Sequence, residues 1–119
     1  MKKLSLKLAL KELKRLGLAD TDSRVYIYLS KKGPCEKNDL SDALNLTNHQ
    51  LCLSINSLMI RGMVSTIPEG SVKYFAIPLE KVLDEFMREA KEQARALQAS
   101  KKELLSTWRS IIEKNSLNS

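Results

Sequence analysis

The feature that most constrains this chain is an apolar repeat that runs through residues 79–115. Its positions follow one another at alternating steps of four and three: Leu83, Met87, Ala90, Ala94, Leu97, Lys101, Leu104, Trp108, Ile111 and Asn115. That spacing is typical of the a and d positions of a heptad coiled coil. One helix over these residues is roughly 54 Å long, about twice the width of a small domain. Since such a seam has no partner within its own chain, we expect a homodimer.

The residues of the repeat also bear on how two copies pair. We expect the dimer interface at Leu83, Met87, Ala90, Ala94, Leu97, Leu104, Trp108 and Ile111. Lys101 occupies a core position, which costs stability and sets register or orientation. In an antiparallel pair Lys101 lies opposite a small residue such as Ala94, which leaves its amine a path to solvent. An antiparallel dimer is therefore favoured.

Composition narrows the remaining classes. The chain has 119 residues, 43% of them hydrophobic and 29% charged, as expected for one soluble domain with an appendage. No apolar run approaches the length of a membrane span, and no signal-peptide core follows the basic first residues. Cys35 and Cys52 lack metal-ligand spacing and have a single histidine, His49, for company. We therefore expect a cytoplasmic protein without metal, cofactor or membrane partner.

The positive charge is unevenly distributed. The formal net charge is +6, which favours an acidic partner. Residues 1–20 contain six basic and two acidic residues, residues 21–78 six and five, and residues 79–119 eight and seven. The excess therefore lies in the first helix, and any nucleic-acid surface in the centre of the chain is nearly neutral.

The first half of the chain has the periodicity of four helices. They are predicted over 3–16, from a cap at Thr21 or Asp20 through Lys32, over 37–44, and from a cap at Thr47 to Arg61. The first is basic and amphipathic, and it either packs on the domain or dimer interface or binds a membrane or partner. The inward residues predicted for the other three are Val25, Tyr26, Leu29, Leu40, Ala43, Leu44, Leu51, Ile55 and Leu58.

After Gly62 the period changes to that of strands. Residues 63–67 and 72–77 are rich in β-formers and are separated by a Gly-containing turn, which predicts a hairpin. The last three of the four predicted helices, followed by a hairpin, have the order of a winged helix-turn-helix. We therefore expect a mainly α, α+β winged helix-turn-helix domain at 1–78 with an extra N-terminal helix, and a coiled-coil dimerisation helix at 79–119.

Four segments in order resemble the TrmB-like archaeal transcriptional regulators. LGLADTDSRVY at 16–26 is similar to the opening of that family, and Gly33-Pro34 matches the loop that follows. NSLMIRGMV at 56–64 and YFAIPLEKVL at 74–83 are similar to the end of its third core helix and its exit from the wing. The resemblance, over about 14–90, implies a DNA-binding winged helix dimerised through the following coil. Larger members carry a sugar-sensing domain, so we expect a short form without one and carry over no ligand.

The recognition helix departs from the family pattern, because Asn48, His49 and Gln50 stand where basic residues are usual. Its predicted outward face is His49, Leu53, Asn56 and Ile60, flanked by Gln50 and Ser57. Asn and Gln bond adenine bidentately and aliphatic side chains contact thymine methyl groups, so this face favours A·T-rich DNA. The candidate DNA-binding residues are Thr47, Asn48, His49, Gln50, Leu53, Asn56, Ser57, Arg61, Lys73, Lys37 and Arg24, with Lys31 and Lys32 as further phosphate contacts.

The sequence thus favours a dimeric, sequence-specific transcriptional regulator that binds double-stranded DNA at half-sites about 34–36 Å apart or a multiple of that. The alternative is a winged-helix protein-interaction module, since Leu53 and Ile60 on an uncharged face suit a protein partner. Catalysis is not expected: Asp39 and Asp42 read as surface charges and no glycine-rich phosphate loop occurs. Oxidation of Cys35 by a redox signal is a minor alternative.

Overall fold

The computed structural model describes the backbone of residues 2–118 and the side chains of residues 6–114. Its elements in chain order are α1 (Lys2–Arg15), α2 (Asp20–Lys32), α3 (Lys37–Leu44), α4 (Asn48–Ile60), β1 (Val64–Ile67), β2 (Lys73–Ala76) and α5 (Leu79–Asn118). The chain forms two compact units, Met1–Val82 and Leu83–Ser119. The first is a winged helix-turn-helix, and the second is the rest of the long helix α5. The predicted fold class is confirmed.

The core of the first unit lies between α2, α3 and α4. The inward residues predicted for α2 and α4 are all buried: Val25, Tyr26, Leu29, Leu51, Ile55 and Leu58. Spacings of three and four place each set on one side of its helix, where burial of the apolar side chains holds the helices together. Met63, Val64 and Val82 close the core from the wing and the start of α5.

Helix α1 packs on this core at its C-terminal end. Leu13 is 3% exposed and Leu18, just after the helix, is also buried, whereas Leu10 is half-buried and Leu6 is 39% exposed. Burial on this side of the helix thus falls from Leu13 to Leu6. Gly17 ends α1 with a φ of +93°, a left-handed conformation that glycine adopts without the steric penalty of a Cβ.

Apart from shifts of one residue at both ends of α1 and at the end of α4, two details of the helices differ from the sequence-based prediction. The N-cap of α2 is Ala19 rather than Thr21 or Asp20, since Asp20 already lies in the helix and pairs with Lys14 at 3.1 Å. Ala43, predicted to be buried, is exposed. Its helix α3 has eight residues and packs through Leu40, with Leu44 half-buried, so Ala43 lies on the solvent side.

The turn into α4 confirms the predicted cap at Thr47. Asn45 adopts the left-handed conformation with a φ of +55° and ends α3, and Thr47 is the N-cap of α4. Asn tolerates this conformation better than other non-glycine residues. The start of α4 is therefore fixed by local chemistry as well as by the core.

The wing is a two-stranded antiparallel sheet in which Val64 pairs with Ala76 and Ile67 with Lys73. The loop between its strands covers residues 68–72. An isolated bridge outside the strands was not predicted: Cys35, between α2 and α3, pairs with Tyr74 through two backbone hydrogen bonds of 3.0 and 2.7 Å. The Tyr26 hydroxyl also donates to the carbonyl of Ile77 at 2.6 Å. The wing is thus bonded to the α2–α3 loop and to α2.

The long helix α5 begins at Leu79, as predicted, and continues for 40 residues. From residue 84 to 114 only Phe86 is even half-buried. The seam positions Met87, Leu97, Leu104, Trp108 and Ile111 have relative exposures between 49% and 59%. Asn115 lies beyond the described side chains. Among the helices that the structure describes, none has the length and apolarity needed to cross a membrane.

Candidate nucleic-acid interface

The solvent face of α4 is uncharged and exposed, as the sequence predicted. Because Leu51, Ile55 and Leu58 point into the core, the residues on the opposite side of the helix face water. His49 and Asn56 are exposed, Leu53 is 59% exposed and Ile60 is 87% exposed. This strip covers three turns and presents one imidazole, one amide and two branched aliphatic side chains.

A capping box holds the N-terminus of α4. The amide N–H of Gln50 donates to the Thr47 hydroxyl at 3.1 Å, and the Thr47 amide N–H donates to Oε1 of Gln50 at 3.0 Å. Both predicted DNA-binding residues therefore have a structural role. A bidentate contact of Gln50 with adenine would compete with the cap for Oε1, whereas its Nε2 donor has no partner among the described residues.

Beneath this face, a buried hydrogen bond joins α4 to the start of α2. The Ser54 hydroxyl donates to the carboxylate of Asp22 at 2.6 Å, and both residues are buried. Buried carboxylates are tolerated when they are hydrogen-bonded, and one near the N-terminus of a helix also gains from the helix dipole. Neither residue was singled out in the sequence. The bond fixes the side of α4 that carries Leu53 and Ser57.

Lys37 lies where α3, α4 and the wing meet. Its Nζ is 3.5 Å from Sγ of Cys52 on α4 and 5.7 Å from the centre of the Tyr74 ring on β2. The charge interaction with Tyr74, followed by the hydrogen bond to Cys52, raises the pKa of Lys37. The ammonium group is therefore held in place and stays charged at neutral pH, next to the strip on α4.

The two arginines of the predicted set bind backbone carbonyls. Arg24 donates to the carbonyl of Leu44, at the end of α3, at 2.9 Å. Arg61 donates to the carbonyls of Gly17 at 3.1 Å and Leu16 at 3.5 Å, and so joins the end of α4 to the α1–α2 turn. Cations near helix C-termini are stabilising, and each guanidinium keeps further N–H donors. Sequence reasoning did not predict these structural roles.

The remaining predicted cations are exposed lysines. Lys73 begins β2 and has no acidic partner among the described residues. Lys31 and Lys32 are exposed in the last turn of α2. The structure thus places Lys37 beside α4 and the wing and Lys73 on the wing itself, whereas Lys31 and Lys32 lie at the other end of α2 from the buried Asp22–Ser54 bond.

The two cysteines are reduced in the structure. Cys35 donates to the carbonyl of Gly33 at 3.3 Å. Burial, and then the nearby carboxylate of Asp39, raise the pKa of its thiol, although Lys32 and Lys73 act in the opposite direction. A raised pKa lowers the fraction of reactive thiolate, which does not favour redox sensing. Within the described residues, no cluster of three potential metal ligands occurs.

Comparisons with solved structures support the fold. TrmBL2, described as an archaeal chromatin protein with a novel mode of DNA binding, matches 92% of this chain at 24% identity with a TM-score of 0.68. The ST1889 protein of Sulfolobus tokodaii matches 76% of the chain at 22% identity with a TM-score of 0.60. The transcriptional regulator Tm0710 of Thermotoga maritima matches 94% at 18% identity with a TM-score of 0.57. These matches cover 44%, 96% and 89% of the respective structures.

A match to a sequence family model assigns the chain to a protein family, which the fold alone does not do. No curated protein matches the chain. The model of the sugar-specific transcriptional regulator TrmB matches residues 13–80, which is more than half of the chain. The matched segment runs from the end of α1 through the capped helix α4 and the wing to the start of α5. The chain therefore belongs to the TrmB family of transcriptional regulators.

Proposed function

We propose that this chain is a dimeric, sequence-specific DNA-binding regulator of transcription that acts in the cytoplasm and has no catalytic activity. The observation that carries the proposal is the exposed face of α4, flanked by the fixed ammonium group of Lys37. In winged helix-turn-helix domains the recognition helix enters the major groove, which an α-helix fits. Family membership supports transcriptional regulation, and the details of DNA recognition are inferred from the geometry of α4.

Base reading is assigned to Asn56 and Leu53. An exposed Asn accepts from and donates to adenine in the major groove, and an exposed Leu contacts the methyl group of thymine. His49 and Asn48 lie in the first turn of the same helix, so we expect them to reach the same groove. We therefore expect a preference for A·T-rich sites.

Phosphate contacts are assigned first to Lys37 and Lys73, at the edges of α4 and the wing. Asn48, with the free backbone N–H groups of the first turn of α4, adds a site that favours an anion. Arg24, Arg61 and Ser57 are secondary candidates, because the arginines already bind carbonyls and Ser57 is half-buried. Because the face formed by α4 and the wing carries few cations, its sequence-independent affinity for DNA is expected to be modest.

The experiment is a selection from random duplexes, followed by binding measurements with the selected duplex at several salt concentrations. Replacing thymine by uracil in that duplex removes only methyl groups. We expect weaker binding by the wild type and a much smaller effect on Leu53→Ala. Lys37→Ala should lower the salt slope by about one unit, whereas Lys91→Ala on α5 should leave it unchanged. Failure to enrich any sequence would refute specific binding.

Dimerisation is assigned to the apolar seam of α5. From Met87 to Ile111 its large side chains are about half or more exposed in a single chain, and such a stripe is stable in water only when a partner covers it. We propose pairing with a second copy, antiparallel, through Leu83, Met87, Ala90, Ala94, Leu97, Leu104, Trp108 and Ile111. Two copies then read two half-sites on the same duplex.

A protein-interaction module is the second candidate, and the exposure of Ile60 and Leu53 favours it. Two branched aliphatic side chains on an uncharged helix face fit an apolar protein surface. Salt separates the two candidates, because phosphate binding weakens steeply with salt and an apolar contact does not. A partner retained at high salt and lost in Ile60→Asn would support this candidate over DNA binding.

A further inference from the structure

A groove opens on the first unit between α1, α2 and α3. Four residues of α2 line it at steps of three, one and three: Arg24, Ile27, Tyr28 and Lys31. These spacings place them along one side of the helix. Leu6 and Leu10 of α1 and Leu44 of α3 form the opposing walls.

The groove exists because, among residues 6–15 of α1, only Leu13 near the C-terminal end is buried against the core. Leu13 is buried, but Leu10, Ile27, Tyr28 and Leu44 are only half-buried, so apolar side chains face an open space. The volume of that space is about 260 Å³. This equals roughly nine water molecules at about 30 Å³ each, just below the size of ordinary small-molecule sites. A chain of about eight carbon atoms fits that volume.

The charges of the lining determine the kind of molecule that fits. Arg24 and Lys31 are its only ionisable groups besides the phenol of Tyr28, and no acidic residue lines the groove. The bond from Arg24 to the Leu44 carbonyl holds its guanidinium at one end and leaves other N–H donors unused. Neither cation has an acidic partner among the described residues. An apolar trough between two cations is complementary to an anion with an apolar body.

A second copy seated groove to groove does not satisfy these conditions. In a two-fold contact centred on this groove the patch meets itself, so Arg24 and Lys31 would face the same cations of the second copy. DNA supplies the anionic charge but no apolar segment to fill the trough. We propose that this groove binds a small amphipathic anion, a free alkyl carboxylate of about eight carbons. The proposal concerns a site separate from the exposed face of α4 and does not depend on DNA binding.

Octanoate is the probe, titrated into the full chain and followed by backbone amide chemical shifts. We expect saturable shifts confined to the lining of the groove. Octan-1-ol has the same chain without the charge and octylammonium has the opposite charge. Both should bind with a Kd at least about tenfold higher than that of octanoate.

Two matched pairs of variants test the site itself. Lys31→Gln should weaken octanoate binding severalfold, while Lys32→Gln, one residue away and outside the lining, should not. Leu6→Asn should weaken it, while Leu8→Asn, exposed on the same helix and outside the lining, should not. Circular dichroism checks that all four variants are folded.

Four outcomes would overturn the proposal. The first is the absence of saturation up to about 5 mM octanoate, a concentration at which even weak millimolar sites fill. The second is equal binding of octanol or octylammonium, and the third is an equal effect of the two variants within either pair. The fourth is a lower self-association constant in Leu6→Asn. The last would mean that a second copy occupies the groove.

Discussion

The buried hydrogen bond between Ser54 and Asp22 is expected to contribute measurably to stability. Ser54→Ala would leave the Asp22 carboxylate buried without this donor, a change that costs about 1–3 kcal/mol in the free energy of unfolding. Urea denaturation measures it. The matched control is Ser57→Ala, a half-buried serine on the same helix, for which a change below about 0.5 kcal/mol is expected. Equal losses in the two variants would show that the bond contributes nothing special.

The thiol of Cys35 allows a test of local electrostatics. Burial and then Asp39 raise its pKa, so at neutral pH it carries less thiolate than an unperturbed cysteine, whose pKa is about 8.5. In a Cys52→Ser background we expect alkylation by iodoacetamide to be slow at pH 7.5, and its rate to keep rising with pH beyond the range in which an unperturbed cysteine levels off. Asp39→Asn should lower the pKa and speed the reaction. Asp42→Asn, one turn nearer the end of α3, is the control, and an equal acceleration would contradict the assigned cause.

Individual site residues were predictable to different degrees. The exposure of His49, Leu53 and Asn56 followed from helical periodicity, because a buried set at steps of four and three fixes the opposite face. The carbonyl contacts of the two arginines could not be predicted in this way. The partner of Arg24 lies 20 residues away in sequence, and the two partners of Arg61 lie 44 and 45 residues away. Long side chains reach carbonyls that only the tertiary fold brings near.

At the scale of elements, helix ends show where local sequence decides. Thr47→Ala removes one half of the capping box of α4 and should destabilise the domain by about 1 kcal/mol. Thr21→Ala is the control: the sequence offered Thr21 as a cap, but the N-cap is Ala19, so little change is expected. Thermal unfolding of both variants measures the difference. A loss for Thr21→Ala as large as that for Thr47→Ala would contradict the assignment of the caps.

Most elements were predictable, because their periodicity and their glycine, proline and asparagine boundaries agree. The helix of residues 37–44 was predicted with the observed ends, and the strands to within one residue at each end. The bridge between Cys35 and Tyr74 was not predicted, since a single residue has no period. The burial of Ala43 was predicted wrongly because an eight-residue helix shows too few turns to define its inner face.

At the scale of the whole molecule, the seam of α5 predicts self-association. Trp108→Ala should weaken the proposed dimer by about 2–4 kcal/mol per subunit while the winged domain remains folded. Sedimentation equilibrium measures the dimer constant and circular dichroism the folding. Arg109→Ala, its neighbour outside the seam, should leave the constant unchanged. A Trp108→Ala dimer as tight as the wild type would mean that the seam is assigned wrongly.

The relative orientation of the two α5 helices in the proposed dimer has its own test. If Lys101 lies opposite Ala94, the two antiparallel helices cross symmetrically between residues 97 and 98. Spin labels at Glu113→Cys, with Cys35 and Cys52 replaced by serine, should then be roughly 45 Å apart, whereas a parallel pair places them under about 20 Å. Labels at Gln98→Cys, near the centre, should be close in either arrangement and serve as the control. A short distance at 113 would overturn the antiparallel assignment.

The bridge between Cys35 and Tyr74 has a mechanical consequence. Cys35 is two residues before Lys37, and Tyr74 lies under the ammonium group of that lysine. A displacement of β2 therefore pulls on the first turn of α3 and on its cation together. The wing is therefore coupled to α3 more closely than a hairpin held only by its own strands. In the proposed complex with DNA, a shift of the wing would therefore also move the phosphate contact assigned to Lys37, through a tyrosine and a strand only four residues long.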